Sequence, residues 1–125
     1  MSDTGARYPI ETPVTAYGNG GFRFAEISHK GSILCLPIGI FAWDAVDARL
    51  LTERDFAHVF ATLKPHTTLL LGTGAEQIWP SGDLTRAFTE KQIGLEPMST
   101  GAAARTYNVL LAEKRSIAAA LIAVE

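Results

Sequence analysis

A single cysteine, Cys35, stands among the 125 residues, so the chain cannot close an internal disulfide, and a reducing compartment is its natural setting. Cys35 lies in the apolar run Ile33–Leu36, where burial makes a thiol inert. Basic residues are also scarce. Eleven Lys and Arg face 13 Asp and Glu, a net charge of −2, and the densest positive spot, Lys114-Arg115, directly follows Glu113. A general nucleic-acid binder needs a basic excess, so nucleic acid is not an expected partner. No apolar run approaches the roughly 20 residues of a membrane span. The longest, Ile117–Val124, suits a strand, and no membrane insertion is expected. Met1–Ala6 is small and polar, without the apolar core of a signal peptide. These absences lead to the expectation of a soluble, cytoplasmic protein.

Catalytic patterns are missing in the same way. The three histidines, His29, His58 and His66, have no second ligand at zinc-type spacing, so no metal is expected. No Gly-x-Ser-x-Gly elbow occurs, and Ser81 and Ser99 sit where helix caps belong. Gly72-Thr73-Gly74 is half of a dinucleotide fingerprint, but Gln77 occupies the third glycine position and no Walker lysine follows. Asp44 and Asp47, with Arg49 close by, read as a solvated loop. No catalytic residue is assigned and no cofactor is expected.

What is present is hydrophobic content of 47%, enough for one core in a chain of this length. Residues 1–9 are expected to be a flexible tail, and residues 10–125 a single α/β domain. The centre of that domain is Thr67–Gly74. Leu69, Leu70 and Leu71 leave no polar face, as in a strand covered on both sides, and the chain then turns on Gly72-Thr73-Gly74. Val14–Tyr17 reads as a short strand, Gly18–Gly21 as a turn, and Phe22–Leu36 as a hairpin turning at His29-Lys30-Gly31. Ile40–Trp43 is expected to be irregular or briefly extended.

Three helices follow. Thr52, with Asp55 in capping-box position, opens the first, whose stripe is Phe56, Val59, Phe60 and Leu63, and Pro65 stops it. Asp83 is expected to cap the second, with Leu84, Ala87 and Phe88 inward and Gly94 past its end. Ser99 or Thr100 caps the third, which runs to about Lys114 and buries Ala103, Tyr107, Leu110 and Leu111. Strands alternate with these helices, which implies a layered α/β domain with a largely parallel central sheet.

The carboxyl end of a buried strand is where open α/β sheets place ligands. If the start of the third helix faces that end, Thr73, Thr100, Arg105 and Asn108 form a polar pocket walled by Trp43 or Trp79, with backbone N–H groups directed at an anion.

Several segments together carry a family resemblance: Tyr17-Gly18-Asn19-Gly20-Gly21-Phe22-Arg23, Trp43-Asp44, Leu69–Gly74, Met98–Leu110 with its Thr-x-x-Ala-x-x-Thr-Tyr-Asn pattern, and Arg115–Ile122. From about Ile10 to Val124 the chain resembles the family of small Mth-type α/β proteins that includes mitochondrial NADH dehydrogenase (complex I) assembly factor 3 and the adipogenesis-associated Mth-domain protein. The resemblance implies a three-layer fold with a mixed central sheet and no established catalytic residues. It also implies a protein partner in respiratory-complex assembly. Positions matching the family pattern are Trp43, Gly72, Thr73, Gly74, Thr100, Ala103, Thr106, Tyr107 and Asn108.

Two functions follow. The favoured one is a non-enzymatic binding or assembly protein, with an exposed apolar patch near Phe22, Phe41 or Trp79. The alternative is an anion or nucleotide-like ligand, or an enzyme, using Trp43, Gly72, Thr73, Gly74, Thr100, Arg105 and Asn108. A homo-oligomer pairing through the Phe22–Leu36 hairpin is a third expectation.

Overall fold

The computed structural model describes residues 5–125, so the first four residues of the expected tail lie outside the described residues. Eight strands and three helices follow in the order β1 (Val14–Gly18), β2 (Gly21–Phe24), β3 (Ile27–Lys30), β4 (Ser32–Leu36), β5 (Gly39–Trp43), α1 (Ala57–Thr62), β6 (Thr68–Gly72), α2 (Gly82–Glu90), β7 (Gly94–Met98), α3 (Thr100–Ala112) and β8 (Ile117–Leu121). They build a five-stranded sheet of order β5-β4-β8-β6-β7 and a three-stranded sheet β1-β2-β3. In the larger sheet β6 runs parallel to β7 and β8, whereas β4 runs antiparallel to β8 and β5. The sheet is therefore mixed, as the family resemblance implied, and not fully parallel as helix–strand alternation alone suggests.

The run Leu69–Leu71 is covered on both faces. Leu69 and Leu71 pack with Phe56, Val59, Leu84 and Phe88 of the α1–α2 layer. Leu70 points the other way, into a cluster with Ala103 and Tyr107 of α3 and with Val14, Phe22 and Phe24 of the small sheet. Alternation with period two divides one strand between two cores, and the result is three layers. Ala118 and Ala120 of β8 enter the first cluster, and Ala119 enters the second. Their small side chains let both outer layers approach the middle of the sheet.

The residues Phe22–Leu36 do not form one hairpin. The chain reverses at Ala25 and Glu26, so β2 pairs with β3, while Gly31, at φ +92°, carries the chain from the small sheet into the large one. Gly39–Trp43 is a regular strand paired with β4. Its outer side holds Arg7 and Tyr8, which bond to Ile40 within the expected tail segment. The first helix opens as a 3-10 turn over Glu53–Phe56, where Thr52 N–H donates to the Asp55 carboxylate at 2.8 Å. Ser81, rather than Asp83, caps α2, accepting from Leu84 N–H at 3.1 Å.

At the β7 edge, Gly94 N–H donates to Thr67 O and Met98 O accepts from Thr73 N–H, so the backbone groups of Leu95 and Pro97 point away from β6 while the Leu95 side chain packs on the core. Pro97 has no N–H, and its carbonyl accepts from the Gln77 side-chain amide at 2.9 Å. No helix among the described residues is long and apolar enough to cross a membrane.

Candidate functional site

Strand β6 delivers its terminal glycine against the first turn of α3. A Cβ on Gly72 would lie 3.0 Å from Thr100 Cα, so only glycine lets the helix start come this close. The contact is sealed by a reciprocal pair: Thr100 N–H donates to Gly74 O at 2.8 Å, and Gly74 N–H donates to Thr100 Oγ1 at 2.9 Å. The Thr100 hydroxyl in turn donates to Ile122 O at 2.7 Å, and Ile122 N–H donates to Gly72 O at 3.0 Å. One threonine thus ties α3 to the ends of both central strands. Thr73 is equally committed. Its buried hydroxyl lies 2.5 Å from Glu76 O and 3.1 Å from Met98 O, and it accepts from Ile78 N–H at 3.0 Å.

Above this junction opens a wide cleft of about 770 Å³. Thr73, Gly74 and Arg105 line it, and Gly72 and Thr100 lie beneath its floor. Trp43 and Asn108 lie elsewhere. The Trp43 ring packs 5.5 Å from Phe56, and its indole N–H donates to Asp55 O at 2.8 Å. Asn108 clips β1 to α3: it accepts from Val14 N–H at 2.9 Å and donates to Val14 O at 2.7 Å, completing both backbone bonds of an edge residue. Of the helix N–H groups expected to face an anion, Thr100 bonds Gly74 O, and Ala102 bonds the Ser99 hydroxyl at 3.3 Å.

The remaining walls come from residues that sequence reasoning left out: Tyr17 of β1, Val46, Asp47 and Arg49 of the loop after β5, Glu76, and Glu125. Tyr17 lies so close to α3 that a Cβ on Gly101 would collide with its Oη. The Tyr17-Gly18-Asn19-Gly20-Gly21 segment was in view as a family pattern, which was the available signal. Val46 is 82% exposed at the rim. Trp79 is 72% exposed, whereas Phe22 and Phe41 are core residues and form no surface patch.

Electrostatically the cleft is mixed. Asp47, Glu76 and Glu125 oppose Arg49 and Arg105, and Asp47 is engaged by Arg49 through its backbone N–H at 2.9 Å and its guanidinium at 3.4 Å. No histidine, cysteine or lysine lines it. Among the described residues no three His, Cys, Asp or Glu side chains converge as metal ligands. The groups with displaced proton affinity lie away from it. Burial pushes the Cys35 thiol far up, and it pushes the Tyr107 phenol up with help from Cys35 and Glu11. Burial raises the Glu11 carboxyl too. His29 is lowered, chiefly by burial, against the Ser32 carbonyl that raises it, with Arg7 adding a further lowering.

Comparison with known proteins places the chain. A family model described as a protein of unknown function, DUF498/DUF598, matches residues 14–122. An uncharacterised protein of Rhodobacter capsulatus is 36% identical over 88% of this chain and 83% of its own length. NADH dehydrogenase [ubiquinone] 1 alpha subcomplex assembly factor 3 of Mus musculus is 28% identical over 94% of this chain, which spans only 63% of that protein. A crystal structure described as an outer membrane protein from Bartonella henselae is 46% identical, with a TM-score of 0.87 over 95% of this chain and all of that one. A Bordetella pertussis solution structure described as a Mth938-like domain is 27% identical, with a TM-score of 0.74 over 90% of this chain and 85% of that one. With the family model covering nearly every element of the fold, and with these relatives beside it, the chain belongs to the DUF498/DUF598 family of Mth938-like α/β proteins, which includes complex I assembly factor 3.

Proposed function

We propose that the chain is a binding protein that holds a segment of a protein partner in the cleft between the end of β6 and the start of α3, without catalysing a reaction. The observation that carries this reading is how the polar groups at the junction are used. The hydroxyls of Thr73, Ser99 and Thr100 are bonded within the chain, while the rim leaves Tyr17 and Val46 exposed. A floor of that kind supports shape recognition better than chemistry, because general acid–base or nucleophilic work needs a group whose bonds are available to a substrate. A mixed rim of apolar and charged side chains suits a polypeptide. The name carried by the assembly-factor relatives supports the further reading that the partner is a subunit or intermediate of a respiratory complex.

The test is a photo-crosslinking residue placed at position 46 in the native host, against the same residue at position 90. Glu90 is exposed at the end of α2, which packs on the opposite face of the large sheet from α3, and it does not line the cleft. A discrete adduct from position 46 alone is expected. Equal labelling from both positions, or none from position 46, overturns the proposal.

A further inference from the structure

We propose that the outer face of the three-stranded sheet is a docking surface for an extended, acidic segment of a partner protein, read by Arg23 and Lys30. Strand register sets the face. Pairing of Ala16 and Ser28 with Arg23, and of Gly18 and Lys30 with Gly21, puts these six residues on one side. Phe22, Phe24 and His29 occupy the other side and are buried. Among the described residues no layer covers the outer side. It contains a depression of about 330 Å³, and no carboxylate of the described residues lines it.

Charge identifies the occupant. The chain carries a net charge of −2, so a face bearing two cations and no acid is a local reversal. Among the described residues, the ion pairs are Arg49–Asp47, Arg86–Asp83 and Arg115–Glu113, and neither Arg23 nor Lys30 takes part in one. Spacing identifies the conformation. Lys30 lies two residues beyond Ser28, the cross-strand partner of Arg23, so the two cations are diagonal neighbours. Diagonal positions are about 7–8 Å apart. In an extended chain, side chains at i and i+2 are about 6.5–7 Å apart. Carboxylates at alternate positions of a strand-like segment therefore meet both cations together. The floor between them is Gly18, Gly21, Ala16 and Ser28, small enough for a backbone to lie close. A nucleic acid fits poorly, because a polyanion longer than this face extends over the remainder of a chain that is net acidic.

This surface is separate from the cleft, with Tyr17 lining both, and it stands or falls independently of the cleft reading. The probe is a synthetic decapeptide with glutamate at alternate positions, titrated into the isotope-labelled full chain while amide shifts are followed. The controls are the lysine analogue of the peptide, inorganic phosphate and a single-stranded DNA decamer. The expected result is saturable shifts confined to residues 16–30, weakening with salt, with affinity falling about tenfold in the R23E/K30E variant. Both side chains are exposed, so the variant is expected to keep the wild-type melting temperature. The proposal is overturned if the lysine peptide or phosphate moves the same amides equally, if DNA binds more tightly than the glutamate peptide, or if R23E/K30E binds unchanged.

Discussion

Thr100 shows how much of this fold hangs on one hydroxyl. It accepts from Gly74 N–H, which is half-buried at the cleft, and donates to the buried carbonyl of Ile122. Thr100→Val keeps the shape and removes both bonds. Leaving the buried Ile122 carbonyl unpaired costs about 1–3 kcal/mol, whereas water entering from the cleft can reach the Gly74 N–H, and a net loss of about 1–3 kcal/mol is expected by urea unfolding. Thr100→Ser is expected to recover most of it. Equal stability of the valine variant would mean that the junction is held by Gly72–Thr100 packing alone. The sequence put Thr73, Gly74 and Thr100 together correctly because strand exits and helix caps have local signatures. It could not show that their hydroxyls face inward, since a Thr at a cap position looks the same whether its partner is a ligand or a carbonyl 22 residues away.

At the scale of elements, the Asn108 side chain acts as a strand neighbour for β1, whose other side pairs with β2. Asn108→Leu removes both bonds to Val14 while keeping the volume. A loss of about 1–3 kcal/mol is expected, with faster amide exchange at Val14 and little change in β6 or β8. Uniform acceleration throughout the chain would instead show that β1 opens only with the whole domain. Helix positions were largely legible, because Ser81, Ser99, Thr52 and Pro65 are short-range punctuation. The strands from Phe22 to Leu36 were not. His29-Lys30-Gly31 has the composition of a turn, but the reversal falls at Ala25, an alanine at φ +52° that no propensity would select. Assigning β3 to one sheet and β4 to the other depends on the α3 and β8 partners, which are distant in sequence.

For the whole molecule, a titratable group buried where the small sheet meets the large one contributes to its response to pH. His29 sits 6.2 Å from the Phe24 ring with its Nε2 3.3 Å from Ser32 O, and its pKa is lowered from 6.5 in the fold. The unfolded chain therefore takes up this proton more readily. Stability is expected to be fully present above pH 6.5 and to fall as pH drops through the lower folded value. The melting temperature of the wild type should fall between pH 7.5 and pH 5.5, and His29→Gln should flatten that slope. An unchanged slope in the variant would assign acid sensitivity to other groups. The cleft is also a whole-molecule property. Its rim is gathered from β1, the loop after β5, the loop after β6 and α3, so no window of sequence contained it. Asn108 and Trp43 have the residue types of a binding pocket, yet the fold uses them to hold β1 and to fill the core.

Pro97 and Gln77 cap one outward position at the far margin of the large sheet: one lacks a hydrogen to offer, and the other occupies the oxygen beside it, which leaves Leu95 as the second outward position of β7. Ribbon growth from that border is thereby hindered at one of its two outward positions. Copies of the chain crowded together therefore meet a broken template there, and fibre formation through that side is disfavoured.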